Sequence, residues 1–220
     1  MKRFSLRYTL LTYRLDLLWL PAAFWALFMI VALIMHEPGK TLDMARAYLG
    51  TVVPLVGGIL ATYAILDDPA LELRFATPAR AGWLLAERLC LILVIQATCA
   101  VAFQLFSLAL STNFSLLGTW LDVQLAWVIP TITLMALGCA GSLLAAQTMT
   151  GAFLTGIVWL VELVARGWFA QNAGKYFLVF MGALMPDHPS LRANQASLFA
   201  LAVVLIFVAW RLLHRQERYI

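Results

Sequence analysis

Few residues in this sequence have both the chemistry and the setting to act on a substrate. Glu162 is the one acid deep inside an apolar run, and Arg166 follows four residues later, a helical spacing at which the two side chains meet. An ionisable pair inside a membrane-type segment is a functional candidate by default; its plainer reading is an interfacial ion pair near the membrane edge. Other chemistry is missing. There is no GxxxxGK[ST] phosphate loop and no HExxH, and Gly141-Ser142-Leu143 lacks the second glycine of a nucleophile elbow. His36, His188 and His214 have no ligand spacing. Cys90, Cys99 and Cys139 all lie in apolar runs with no CxxC, so free thiols are expected rather than disulfides or zinc. The expectation is no catalytic residue, no metal and no cofactor held by this chain.

The elements that would position the Glu162–Arg166 pair follow from composition. Of 220 residues, 63% are hydrophobic and only 12% charged, and mean hydropathy is +0.89. Soluble domains run near 45–50% apolar and about 25% charged, so a soluble domain and a disordered chain are both excluded. The formal charge of +4 suits cytoplasmic loops of a membrane protein better than a nucleic-acid surface. A bilayer-spanning helix needs about 20 apolar residues. Runs at 17–35, 47–66 and 89–110, the last starting as early as Gly82, meet that need. Val123–Val161 carries no charge over 39 residues. As one helix it would be about 58 Å long, twice the hydrocarbon core, so it must fold back. The polar stretch Gln147-Thr148-Met149-Thr150-Gly151 is the expected break, giving spans near 120–146 and 151–166. The last span is 193–210. No cleavable signal peptide is expected, because Lys2–Arg14 is too long and mixed for an n-region.

Six spans put both termini on one side. That side holds Lys2, Arg3, Arg7, Arg14, Arg74, Arg80, Arg88, Arg211, Arg215 and Arg218, ten cations. The other holds Lys40, Arg46, Arg166, Lys175 and Arg192, five. The positive-inside rule then makes the termini cytoplasmic. The fold class expected is an all-α membrane protein, one transmembrane domain over 1–220 with six transmembrane helices.

Three segments lie outside the spans. Residues 1–18 read as an interfacial helix, with Phe4, Tyr8, Leu11, Leu15 and Leu18 on one stripe and the snorkelling cations Arg3, Arg7 and Arg14 on another; a simple basic flank is the alternative. Between the second and third runs, Asp68 is a good N-cap and Pro69 suits the first helical position. Thr77 precedes Pro78, where helical geometry is disfavoured. The result is a short helix over 69–76 with Leu71 and Phe75 on one face, either a docking element or a capped connector. The third segment, 167–192, includes the ten-residue apolar run Tyr176–Met185, too short to cross, and reads as a re-entrant or interfacial element or a loop with an apolar cover. Gly57-Gly58, Gly138/Ser142 and Gly151/Gly156 offer small surfaces for close helix packing. Pro54 and Pro130 are expected to kink their helices.

The stretch Pro69-Ala70-Leu71-Glu72-Leu73-Arg74-Phe75-Ala76-Thr77-Pro78-Ala79-Arg80, with Trp83-Leu84-Leu85-Ala86-Glu87-Arg88 after it, resembles the "GTLELLLATPVSR…LLGK" stretch of ABC-2-type transporter permeases. Leu71-Glu72-Leu73, Ala76-Thr77-Pro78 and Arg80 match best. Pro69-Ala70 replaces the usual Gly-Thr, and Arg88 the usual Lys. The motif covers under a tenth of the chain; the layout resembles the family throughout. The resemblance implies a permease subunit of an ATP-driven exporter in the cell inner (plasma) membrane, paired with a second permease chain, identical or paralogous. ATP and magnesium would be bound by a separate ATP-binding cassette subunit. Residues 69–77, with their cap Asp68 and the following Pro78, would form the coupling helix on that ATPase (Asp68, Pro69, Leu71, Glu72, Leu73, Arg74, Phe75, Ala76, Thr77, Pro78). Short external helices before the last span would close the outer gate, and Glu162 and Arg166 would border the export path or the permease dimer. Membrane lipid is a partner; nucleic acid is not. The rival readings are a secondary transporter, which would need a midplane charge or paired broken helices, and a polytopic membrane enzyme, which would need a cluster of acids or histidines facing one cavity.

Overall fold

The computed structural model describes residues 18–35, 37–64, 66 and 81–214. These residues are helical with no strand among them. Helix α1 spans Trp19–Met35. Helix α2, Pro38–Ala47, runs through a π-turn at Tyr48–Val52 into α3, Val53–Thr62. Helix α4 is Ala81–Ala109, α5 is Trp120–Ala145 and α6 is Thr148–Val164. Two short helices follow, α7 at Arg166–Gln171 and α8 at Met181–Leu184, before α9 at Leu191–Leu213.

Four helical stretches are long and apolar enough to cross a membrane: Gly39–Thr62, Gly82–Ala109, Trp120–Ala145 and Leu191–Leu213. The protein is a helical membrane protein. Helices α1 and α6 are apolar but have 17 residues each, about 25 Å long, at the lower limit for a hydrocarbon core of about 30 Å.

Each apolar run becomes a helix, but several boundaries differ from the sequence expectation. The second span starts eight residues earlier than Ala47, at Gly39. Its first turns are polar and carry the i,i+3 ion pairs Glu37–Lys40 (3.0 Å) and Asp43–Arg46 (3.7 Å), which an apolar-run criterion omits. The break after α5 falls at Ala146 and Gln147, so it meets the expected stretch Gln147–Gly151 only at its first residue. Ala146 is left-handed (φ 52°). Its N–H bonds the Leu143 carbonyl, and the Gln147 N–H reaches the Ser142 carbonyl at 3.0 Å, a Schellman closure built without glycine. Thr148 to Gly151 are already helical. Gly151 was expected both to end the turn and to pack closely; it does only the second. Helix α6 ends at Val164, and Arg166 opens α7.

A roughly threefold difference in burial between helices sets the layers. About 72% of the second span and 67% of α5 are buried, against 22% for α4 and for α9. Helices α3 and α5 therefore form the centre, and α4 and α9 face lipid. Water supplies no driving force between helices in a bilayer, so close backbone approach and side-chain hydrogen bonds must hold the centre. Gly57, Gly58, Gly138, Ser142 and Gly151 do this. A Cβ on Gly138 would overlap the Gly58 carbonyl oxygen, and one on Gly151 would lie 2.7 Å from both the Gly138 carbonyl oxygen and the Ser142 nitrogen. Gly156 is different: nothing lies within 4 Å of its Cβ position, and it takes no part in the crossing. Pro130 sits inside an unbroken α5.

The bundle has two ends. At one, Arg88 Nη1 donates to the Ala64 carbonyl (2.5 Å) and Gly82 lies against Trp210. At the other, the Thr112 hydroxyl donates to Thr41 (2.9 Å) and Arg192 pairs with Asp122 (2.5 Å).

Candidate functional site: an inserted segment held by a buried carboxylate

The feature that departs most from a plain bundle is the segment before α9. After a 3-10 turn at Ala173–Tyr176, the chain turns inward. Leu178, Val179, Phe180 and Met181 are all buried, and they share one apolar cluster with Leu134, midway along α5, and with Leu198 of α9. The expected element of ten apolar residues is present as an insertion, but its only α-helical part is the single turn of α8. Its hydrogen bonds explain why. Backbone buried this way needs partners from neighbouring elements when it is not helical; two side chains, Glu162 and Asn194, supply them, and a third, Trp159, packs against the segment.

Glu162 is the first. Its carboxylate, 7% exposed, accepts the Val179 N–H at 2.6 Å. Asn194, in the first turn of α9 and 1% exposed, donates from Nδ2 to the carbonyls of Lys175 (2.8 Å) and Leu178 (3.0 Å). Trp159, one turn before Glu162 on the same face of α6, sets its ring edge-on to Phe180, with centroids 6.1 Å apart. The Trp159 indole N–H donates to the Thr51 carbonyl at 2.9 Å.

Thr51 lies in the π-turn, which has a local cause. Pro54 has no N–H, so the α-helical bond to the Gly50 carbonyl cannot form. The backbone widens there, and the Val53 N–H reaches back five residues to Tyr48. The expected kink at Pro54 is thus realised as a π-turn. Gly50 lies within it, and a Cβ there would overlap the Ala183 side chain. Gly182 meets α5 similarly: a Cβ would stand 2.9 Å from the Ala126 Cα, at the residue whose carbonyl Pro130 leaves without its helical partner. The inserted segment therefore seats on two proline-modified places in the central helices.

Of the residues singled out from sequence, Glu162 is in this site. Arg166 is not: it is exposed on α7, and Glu162 turns inward to Val179 instead of pairing with it. Arg3, Arg7 and Arg14 of the expected interfacial helix, and Asp68 to Pro78 of the expected coupling helix, lie outside the described residues. Sequence reasoning missed Trp159, Asn194 and the π-turn. A polar Asn194-Gln195 pair at the head of an apolar run was a usable signal for the second; Pro54 four residues after Gly50 was one for the third. Among the described residues, no group of three or more His, Cys, Asp or Glu comes together to hold a metal. What the arrangement can do is mechanical: hold a buried, mostly non-helical segment across one end of the bundle through a few separable hydrogen bonds.

No protein-family model matches the chain, and no curated protein or solved structure is found similar to it.

Proposed function

We propose that this chain is the membrane subunit of an ABC-2-type exporter, with six transmembrane helices and both termini in the cytoplasm, working as a dimer on a separate ATP-binding subunit in the inner (plasma) membrane. The observation that carries the reading is the motif of residues 69–80 together with its position in the fold. It joins the end of α3 to the start of α4, and Arg88 of α4 is bound to the Ala64 carbonyl beside the loop. A push on this loop by a nucleotide-driven partner would reach both helices together. Helix α3 continues into the π-turn against which the inserted segment rests, so motion of the second span would be felt at Thr51 and Gly50, at the opposite end. That gives a route from the ATPase side to the segment 177–185, which serves here as the outer closure. The cations support the same sidedness: Arg88 and Arg211 are at the loop end, Lys40, Lys175 and Arg192 at the other. On α6, Phe153, Leu160 and Val164 are exposed and Gly156 has open space around it, a surface a second permease chain can approach closely.

ATP hydrolysis and magnesium binding belong to the partner in this reading. Affinity purification of the chain expressed with its cognate P-loop ATPase tests it. Copurification is expected, along with negligible ATP turnover by the isolated chain. Phe75→Ala is expected to weaken that assembly or uncouple turnover from export at equal membrane expression, because truncating a buried interface anchor commonly costs more than about 2 kcal/mol. Robust ATP turnover by the isolated chain, or unchanged copurification and coupling in Phe75→Ala, overturns it.

A further inference from the structure

A second feature owes nothing to the transport reading. Between α4 and α5, at the end of the bundle opposite Arg88, lies a groove of about 430 Å³. Val101, Leu105 and Leu108 of α4 and Trp120 of α5 form apolar walls, and all four are exposed to the bundle's surroundings. Its size and apolar lining, with a few polar groups, are those of a small-ligand site. The polar side chains are Ser115, whose hydroxyl donates to Asn113 Oδ1 at 2.6 Å, and Gln104 and Gln124, which bond each other reciprocally: Gln124 Nε2 donates to Gln104 Oε1 at 2.8 Å, and Gln104 Nε2 to Gln124 Oε1 at 3.4 Å. The orientation of both amides is fixed by Trp127. Its indole N–H, which can only donate, is 2.9 Å from Gln124 Oε1. Each amide nitrogen carries two hydrogens and spends one on the other glutamine. The second N–H of each is not used in that pair, and both residues line the groove.

In a hydrocarbon setting a donor without an acceptor is costly. No charged residue lines the groove, so the complement is an uncharged acceptor rather than a phosphate. Gln104 lies five residues from the end of α4 and Gln124 four from the start of α5, about 6–8 Å along the helix axis. Trp120 sits at the rim, as tryptophans do at the membrane interface. Just inside that interface the bilayer's own acceptors are the ester carbonyls of its glycerophospholipids. We infer that the α4–α5 groove binds one acyl chain of a bilayer glycerophospholipid, with its ester carbonyl accepting from Gln104 and Gln124.

The test is native mass spectrometry of the full chain released from mixed micelles containing a diester phosphatidylcholine or its diether analogue of equal chain length. The diether keeps the chains and headgroup but lacks the carbonyl. The diester is expected to bind about three- to tenfold more tightly, the worth of one or two neutral hydrogen bonds. In the double variant Gln104→Leu/Gln124→Leu that preference should vanish. Val101→Trp, on a lipid-exposed position, fills the groove without touching the glutamines and should lower retention of both lipids. Equal binding of diester and diether by the unaltered chain overturns the inference, as does a preference that survives the double variant or retention unaffected by Val101→Trp.

Discussion

The crossing of α3, α5 and α6 and the seat of the inserted segment are both buried, and they are held by opposite means. At the crossing, glycines let three backbones touch: Gly58 against Thr155, Gly138 against Gly58, Gly151 against Gly138 and Ser142. Where Gly138 meets Gly58 and Gly151 meets Gly138, backbone faces backbone with no side chain to rotate away, so the contact has one geometry. At the seat, much of the attachment runs through side chains that reach across a gap: Glu162 to Val179, Asn194 to Lys175 and Leu178, Trp159 to Thr51 and Phe180. Such bonds are individually worth about 0.5–3 kcal/mol and can break one at a time. A bundle whose centre is rigid and whose inserted segment is detachable can move one part without unfolding the other.

The sharpest way to break this comparison is to add volume at the crossing. Gly138→Ala puts a methyl into the Gly58 carbonyl oxygen, on backbone that cannot yield cheaply. A loss of about 3 kcal/mol or more is expected, seen as a collapse of detergent-extracted folded protein and a lower melting midpoint. Gly156→Ala, at the residue next to Thr155 on the same helix α6, should change stability by less than about 0.5 kcal/mol, since nothing lies within 4 Å of its Cβ position. Equal effects at the two sites would remove the claim that the glycine crossing is the rigid part.

At the seat, Glu162→Ala leaves the buried Val179 N–H without its acceptor, a cost of about 1–3 kcal/mol. The expected signature is local. Amides of 177–181 should exchange faster while those of α5 keep their protection. Glu162→Gln keeps an acceptor oxygen and should recover much of the protection. Should Glu162→Ala lower protection in α5 and at 177–181 alike, the segment belongs to the core and is no separable closure.

How far the sequence foretold this division depends on the residue. Apolar run length located every long helix, because burial in lipid demands about 20 apolar residues whatever the partners are. Glu162 was visible for the same reason, as an acid where acids are costly. Its partner was not. Spacing nominated Arg166, four residues on, but a helix end can place that residue on a different element, and α6 stops at Val164. The acceptor's true partner is a backbone N–H 17 residues away, which no side-chain pattern records. Gly151 was visible as a small residue but was read as part of the turn as well. Whether a glycine serves a turn or a crossing depends on what stands opposite, and Gly138 lies on another helix. The π-turn follows from Pro54 only once Gly50 is known to face Ala183.

A finer cut separates ring from indole N–H at the seat. Trp159→Phe keeps an aromatic edge for Phe180 but removes the donor to the Thr51 carbonyl. The expected loss is about 1 kcal/mol, with faster exchange at 177–181 smaller than in Glu162→Ala. Trp159→Ala removes both and should cost about 3 kcal/mol or more. If Phe and Ala variants are equally destabilised, the bond to the π-turn, rather than the ring, carries the contact.

The smallest effect is expected where the frame of the seat is closed from outside. Asp122 does two things at the head of α5. It completes a capping box with Thr119, its carboxylate accepting the Thr119 N–H at 3.0 Å while the Thr119 hydroxyl accepts the Asp122 N–H at 3.3 Å. It also pairs with Arg192 at the head of α9, at 2.5 Å. The short distance suggests a strong tie, but the Arg192 side chain is 66% exposed, and exposed ion pairs are worth about 0–1 kcal/mol because water and salt compete for both charges. The cap is local to one helix and keeps its value regardless of Arg192, about 1 kcal/mol for a typical N-terminal cap. Arg192→Gln should therefore shift the melting midpoint barely, with any shift fading at high salt. Asp122→Ala should cost about 1 kcal/mol at any salt concentration. A salt-independent loss in Arg192→Gln as large as that in Asp122→Ala would make the α5–α9 tie a structural part of the seat, and the inserted segment 177–185 would then be fastened from outside as well as from Glu162 within.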